Sequence, residues 1–453
     1  MSHPGLHPRF DPLAARRAAL RILLAVAKEQ LPFRTAFAQE MQKRQLDPKN
    51  LALAHTLAAG TLKLRRRIDF IIAGYVTTKQ KPLPLPITEI LRLGAFQLTE
   101  LERIPRHAAV STAVELAKQW GHAGTARLVN AVLRRVAEAP GDWPWPARKE
   151  DVVQHLATVH SYPNWIVRRW VTDFGEEEAE DLCIRGNRPA GVTLRIDGPA
   201  EEISRIRETL RGRGHASTDG RWFKEYAHLA DPSALAGLRE LQTGIATVQN
   251  EAAGIAVFLL ELEPGETSVD IGAAPGGKAT QAARSVSPKG CVIALDKSKD
   301  RLARLVANLN RQKITNVHPV AADGLAPPLG RAGKILLDAP CSALGLVHRH
   351  PDLRWEKEIA DVDRLADLQT SLLTAAFDCL TVGGRLVYST CTTTRAENEG
   401  VVARLLENRP QASVVDPRPL LPPDFPATAQ WVRITPDPPR LDGAFACVLT
   451  RMP

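Results

Sequence analysis

The chain has 453 residues, 44% apolar and 24% charged, which suits two to four soluble domains that each bury a core. No run of about 18 apolar residues occurs, which excludes a membrane-spanning helix, and residues 1–12 lack the apolar stretch of a signal peptide. The net charge of +9 is uneven: residues 1–140 hold 22 Lys and Arg against 10 Asp and Glu, so the basic balance sits in one module suited to a polyanion such as RNA.

Residues 12–140 predict an all-α domain. Helical spacing covers 14–30, and Pro32 breaks it. Asp47-Pro48 reads as an N-cap with proline at the first helical position, opening a helix over 49–65. Pro82, Pro84 and Pro86 form a stiff connector before helices at 87–100, 108–120 and 125–138. The turn-rich stretch 139–146 predicts a domain boundary. Residues 147–245 mix helical stretches (151–160, 165–174, 176–185) with β-like runs such as 192–196, a small α+β module. From 246 to 453, strands at 267–271, 291–295, 317–321, 335–337 and 385–389 alternate with helices at 276–284, 299–311 and 361–380. This pattern predicts a Rossmann-like α/β domain with a parallel sheet. Residues 431–434 and 444–450 read as an antiparallel edge pair.

The first of these strands runs into Asp270-Ile-Gly272-Ala273-Ala274-Pro275-Gly276-Gly277-Lys278. In an open α/β sheet, ligands bind at the carboxyl ends of the strands. The three glycines let the backbone approach a ligand, yet the loop is neither GxGxxG nor a P-loop. Asp296, at the next strand end, suits a ribose diol, and Asp323 an adenine amino group. With Asp338 they form a row of carboxylates that would repel a pyrophosphate. They suit a neutral adenosine carrying an amino acid and a sulfonium, which is S-adenosylmethionine (SAM). The expected cofactor-binding set is therefore Gly272 to Lys278, Asp296, Asp323 and Asp338.

Two cysteines close strands on the same edge, in Asp338-Ala-Pro-Cys341-Ser342 and Ser389-Thr390-Cys391. Both thiols are expected to face the cofactor pocket. Carbon 5 of cytosine is too weak a nucleophile to take a methyl group from sulfur unaided. A thiolate adding to carbon 6 makes carbon 5 enamine-like, and the thiol later leaves by elimination. Asp338, against the N3–N4 edge of the base, would stabilise the developing charge. Lys278 would support that carboxylate or lower a thiol pKa. Cys183, Cys291, Cys379 and Cys447 read instead as small buried hydrophobes. No CxxC pair occurs, so reduced thiols in a cytoplasmic protein are expected, and nothing calls for a metal.

At these residues the sequence resembles the RsmB/NOP family of RNA cytosine-5 methyltransferases. The likeness rests on residues 270–278, Asp296, Asp323, both cysteine motifs, Glu397-Asn398-Glu399 and the entry motif Val248-Gln249-Asn250-Glu251. It implies that Cys391 is the nucleophile and that Cys341 assists product release. Residues 91–98 and 130–135 are similar to the RNA-binding fold of the antitermination factor NusB. A NusB-like domain joined to this catalytic unit implies a cytosine of 16S ribosomal RNA as target. Ala343 departs from the glycine frequent in the family, and Thr393-Thr394 make the turn after Cys391 unusual.

A target base must leave its stack to reach Cys391, which single strands allow at least cost. Residues 346–355, with His348, Arg349, His350, Arg354 and Trp355, are expected to touch the RNA, and Arg65-Arg66-Arg67 is the densest basic run of the first domain. A tRNA cytosine is the alternative substrate. A noncatalytic ribosome-assembly factor is the alternative class, against which the retention of Cys391, Cys341 and Asp338 speaks.

Overall fold

A computed structural model describes residues 11–76, 82–139, 141–213, 215, 217–235 and 237–453. The sequence expectations at residues 1–10 and Pro140 lie outside them. The chain forms two compact units: one runs to Val171 and takes in His350–Glu356, and the other comprises Thr172–Arg349 with Lys357–Pro453. Among the described residues no helix is long and apolar enough to cross a membrane.

The first unit is all-α. Its core joins Leu20 and Ile22 (helix Ala14–Glu29), Leu57 (Pro48–Lys63), Ile68 (Arg65–Ala73), Ile90 and Leu93 (Leu85–Glu100) and Val129 and Leu133 (Ala123–Glu138). Asp47 caps its helix as expected, its side chain accepting from Lys49 N at 3.0 Å and Asn50 N at 2.9 Å. Gly94 allows two of these helices to meet, since a Cβ there would lie 2.4 Å from Leu133 Cδ1. Two helices were not expected. The first helix already ends at Glu29 with Gln30 as its C-cap, Pro32 is the N-cap of Phe33–Lys43, and Leu64 breaks the expected 49–65 helix into Pro48–Lys63 and Arg65–Ala73.

The second unit holds two sheets. The smaller contains β1 (Val192–Ile196), β2 (Ser217–Asp219), β3 (Tyr226–Leu229) and β4 (Ala246–Val248) in the order β2-β3-β1-β4. Helix Ala200–Gly212 packs Ile203, Ile206 and Leu210 against Leu194, Ile196, Ala227 and Leu229. The larger sheet is built from β5 (Thr267–Ile271), β6 (Cys291–Asp296), β7 (Val317–Ala321), β8 (Ala332–Asp338), β9 (Leu380–Thr390), β10 (Ala412–Val415), β11 (Val432–Ile434) and β12 (Ala444–Arg451). Its order is β10-β12-β9-β8-β5-β6-β7, with β11 joined to β12. Strands β5 to β9 are parallel, so their carboxyl ends share one edge. The expected edge pair is corrected: β11 and β12 do pair, but β12 is an interior strand that also runs antiparallel to β9 and β10. Its residues Ala444–Leu449 are all buried, which an edge strand would not require.

Candidate active site

The loop after β5 is shaped by what lies beside it. Gly272 has φ +82° and passes so close to Asp338 that a Cβ would sit 2.3 Å from its carbonyl oxygen, so only glycine fits there. Gly276, at φ +105°, is the N-cap of helix Gly277–Val286. Asn308 donates to Pro275 O at 3.0 Å, and Arg301 donates to Ala274 O. The buried guanidinium of Arg195, on β1, donates to Gly277 O at 2.9 Å and Thr280 Oγ1 at 3.1 Å, and it also bonds Gln249. The small sheet thus braces the loop from behind.

The strand ends bring the predicted catalytic residues together. Cys341 Sγ and Cys391 Sγ lie 3.3 Å apart, and Cys391 N donates to Cys341 Sγ at 3.4 Å. Lys278 Nζ is 2.8 Å from Asp338 Oδ1. A cavity of about 300 Å³ is lined by Ala273, Ala274, Pro275, Gly277, Lys278, Asp338 and Cys391, together with Val248, Asn250 and Asp442. Gly272, Gly276, Asp296 and Asp323 lie outside this lining, and so does Cys341, so only one of the two thiols expected at the pocket lines it. Asp296, at the end of β6, accepts from Ala274 N at 3.3 Å and Ser298 N at 2.9 Å. Asp323 is 2.8 Å from Lys297 Nζ and accepts from Leu325 N at 3.0 Å. A larger hollow of about 600 Å³ among the first unit's helices is lined by Arg21, Lys28, Glu40 and Trp120 and contains no thiol.

The electrostatics correct one expectation. Hydrogen bonding to Cys341 and burial raise the Cys391 thiol well above its ordinary range, so the lowering by Lys278 is present but outweighed. Lys278 instead supports Asp338: burial pulls its pKa down, but the Asp338 charge and hydrogen bond outweigh burial and hold the ammonium above its ordinary value. Asp270, beneath the loop, is fully buried and pushed up to about 8 by burial first and the Asp338 charge second.

Some site residues were not legible beforehand. Gly345 N donates to Cys391 O at 3.1 Å, and Gly443 N donates to Gly345 O at 3.0 Å, so three backbone segments pass in contact. A Cβ on Gly345 would lie 2.6 Å from Cys391 O and 2.9 Å from Gly443 Cα. Asp442 accepts from His348 Nε2 at 2.9 Å and Arg349 Nε at 2.5 Å, fastening the loop after Cys341. Burial pushes the Asp442 carboxyl up, but these two partners hold it below the usual carboxylate range. The one signal in the sequence is the Asp442-Gly443 pair just before the strand-like run 444–450. Of the four cysteines taken as small hydrophobes, Cys183 and Cys447 are buried while Cys291 and Cys379 are half-buried.

The RNA contact expected of Arg354 is corrected, because it is fully buried, and the side chains of Trp355 and of the basic run 65–67 also make contacts inside the first unit. Arg66 donates to Tyr162 O at 2.9 Å and Gln154 Oε1 at 3.0 Å, and Arg67 to Val159 O at 3.0 Å. The Arg65 guanidinium lies 4.4 Å from the Trp355 ring centre, and Trp355 Nε1 donates to Leu62 O at 2.8 Å. Arg354 is buried over the Tyr162 ring at 3.9 Å. Within the second unit His348 and Arg349 serve Asp442.

Three family models match the sequence: NusB family at residues 13–138, a ferredoxin-like domain of RsmF/B-like methyltransferases at 162–236, and 16S rRNA methyltransferase RsmB/F at 257–450. The ribosomal RNA small subunit methyltransferase B of Pseudomonas putida is 31% identical over 88% of this chain and 91% of its own length. That of Sodalis glossinidius is 31% identical over 88% and 89%. The crystal structure of PH0851 superposes with a TM-score of 0.78 at 25% identity, covering 98% of this chain and 99% of that one. The structure of NSun6 from Pyrococcus horikoshii with SFG shares the fold over 65% of this chain and 100% of its own, at 22% identity and a TM-score of 0.57.

Proposed function

The chain belongs to the RsmB/F family of 16S rRNA methyltransferases, and from that premise we propose that it transfers the methyl group of SAM to carbon 5 of a cytosine in 16S ribosomal RNA. The observation that carries this reading is the pair of thiols 3.3 Å apart beside the Lys278–Asp338 ion pair. One-carbon transfer to an oxygen or an exocyclic nitrogen needs no thiol, whereas methylation of a pyrimidine carbon needs a nucleophile that can add and then leave.

The residues present suit SAM. The Gly272 to Lys278 loop approaches closely from β5, and Asp296 keeps one acceptor position for a ribose diol beyond its two backbone bonds and its ion pair with Arg301 at 3.4 Å. When bound, SAM supplies an electrophilic methyl group on a sulfonium. Cys391, a thiol at rest, loses its proton as the base arrives and adds to carbon 6. Asp338, held by Lys278, faces the N3–N4 edge, where it takes up the proton that Cys391 loses and delivers it to N3 during that addition. Carbon 5 would take the methyl group with release of S-adenosylhomocysteine, its proton would pass to water, and Cys391 would leave from carbon 6 with Cys341 assisting release. The division we assign is an RNA-binding module over 1–140, an α+β module over 147–245 and the catalytic module over 246–453. The cell's ribosome-assembly compartment, the cytoplasm, is the expected place of action.

The test is a covalent trap. Cys341→Ala, incubated with SAM and 16S rRNA from a strain lacking the enzyme, should accumulate a protein–RNA adduct that survives denaturing electrophoresis. Cys391→Ala should give neither adduct nor methylation. Full activity in Cys391→Ala would sink the assignment.

A further inference from the structure

Glu397 lies seven residues past the end of the catalytic strand and is completely buried. Its Oε1 accepts from Ser342 N at 2.7 Å and Gln369 Nε2 at 3.1 Å. Its Oε2 accepts from Ser342 Oγ at 2.5 Å, Thr392 Oγ1 at 3.2 Å and Thr394 Oγ1 at 2.8 Å. All five donors are neutral. A carboxylate offers about four lone-pair sites, so this one is saturated by groups drawn from three segments of the chain.

Those segments are the ones that carry the thiols. Ser342 follows Cys341, and Thr392 follows Cys391. The two hydroxyls also lie 2.7 Å apart, so the Thr392 proton is shared between Ser342 Oγ at this distance and Glu397 Oε2 at 3.2 Å. Behind them, Tyr388 Oη donates to the carbonyl of Glu397 at 2.5 Å, and Gln369 Nε2 donates to Pro340 O at 2.8 Å. The neighbouring Asn398 accepts from Thr390 Oγ1 at 2.6 Å and donates to Thr392 O at 3.2 Å. Hydrogen bonds to a charged acceptor are stronger than neutral ones, and a buried charged oxygen deprived of its donor is costly. Neither cysteine loop can therefore shift alone without taking donors away from the buried Glu397 carboxylate.

We propose that Glu397 is a positioning residue that sets the spacing between the Cys341 and Cys391 thiols by ligating both of their loops at once. The spacing itself stands on the geometry alone. Its catalytic consequence, a second thiol held next to the nucleophile during release, rests on the function proposed above.

The spacing can be read chemically without RNA. The diazene oxidant diamide takes two electrons and two protons from a close thiol pair, giving a disulfide and the corresponding hydrazine. In the wild type this pair should close rapidly, scored by peptide mapping after alkylation of the remaining thiols. Glu397→Gln keeps the side-chain shape but replaces two acceptor positions by an amide N–H₂, and closure should slow by about 10–100-fold, the scale of a misplacement near 1 Å. With SAM and RNA the same variant should lose kcat with little change in KM for RNA, and adduct should build up relative to turnover. Closure at the wild-type rate in a folded Glu397→Gln overturns the proposal. Should that variant fail to fold, Thr392→Val and Thr392→Ser give the same reading: the serine should close like wild type and the valine slower, and equal rates overturn it. Slowed closure with no adduct in Cys341→Ala would leave the positioning role standing and remove the proposed reaction.

Discussion

Arg354 in the helical unit and Asp270 in the sheet unit are both buried charged residues, 0% and 1% exposed, with opposite fates. Arg354 lies on the Tyr162 ring and donates to the carbonyls of Lys63 at 3.3 Å and Ser161 at 3.2 Å, satisfying groups that a helix end and a turn leave over. Asp270 sits one residue before the end of β5, and neither of its oxygens has a hydrogen-bond partner among the described residues. Charge in the helical unit is used for packing. At the strand-end edge a carboxyl is left without a hydrogen-bond partner and keeps its proton, next to the Lys278–Asp338 pair. A run of arginines in a sequence therefore says less about RNA than its density suggests, and an acidic strand end says more about a site than its burial suggests.

The largest effect that would sharpen this contrast is in pH. Asp270 has its folded pKa raised to about 8 from 3.8, so the folded state keeps a proton that the unfolded state releases. Stability is then lost as pH rises from about 4 to about 8, at no more than about 1.4 kcal/mol per pH unit for one proton, and levels off above that. Asp270→Asn cannot release a proton. Its calorimetric midpoint should match wild type near pH 4 and exceed it progressively up to pH 8. A constant offset across that range would mean that Asp270 is ionised and paired, and the contrast would fail.

Next in size is Arg354→Met, which keeps the volume but strands the carbonyls. It should cost about 2–4 kcal/mol, measured by denaturant unfolding followed through tryptophan fluorescence. If Arg354 is packing and not an RNA contact, the slope of log affinity against log salt should stay at the wild-type value. A loss of about 0.7 in that slope, with stability intact, would return Arg354 to the phosphate contacts.

How much the sequence disclosed depended on how local each feature was. The runs 192–196, 267–271 and 317–321 match β1, β5 and β7 to the residue, because short β-rich segments bounded by turn residues carry their own limits. Helices Phe33–Lys43 and Arg65–Ala73 escape the sequence pattern because Pro32 opens a helix two residues past the C-cap of another, and Leu64 closes one helix and opens the next. Strand β12 was taken for an edge because its partners β9 and β10 lie far away along the chain. The meeting of Cys341, Cys391, Asp338 and Lys278 was legible because parallel strand ends share an edge. The Glu397 clamp was not, since Ser342, one of its donors, is 55 residues away.

Ala343 offers the smallest effect and the finest test of the same edge. It stands where the family often has glycine, and its φ of 57° and ψ of 27° lie in the left-handed region. For a residue with a Cβ this conformation costs about 1–2 kcal/mol. Part of that cost is returned by a less flexible unfolded chain, which favours alanine over glycine by about 0.4–1 kcal/mol. Ala343→Gly should therefore stabilise the sheet unit by about 1 kcal/mol or less and raise its thermal midpoint by about 1–3 °C. The loop between Ser342 and Gly345 is gripped at both ends, by Glu397 on one side and by the Cys391 carbonyl on the other. With both ends fixed, relief of strain should appear as stability and leave the Cys341–Cys391 closure rate alone. A lower midpoint would mean that the strain at Ala343 is needed to seat Ser342 against Glu397.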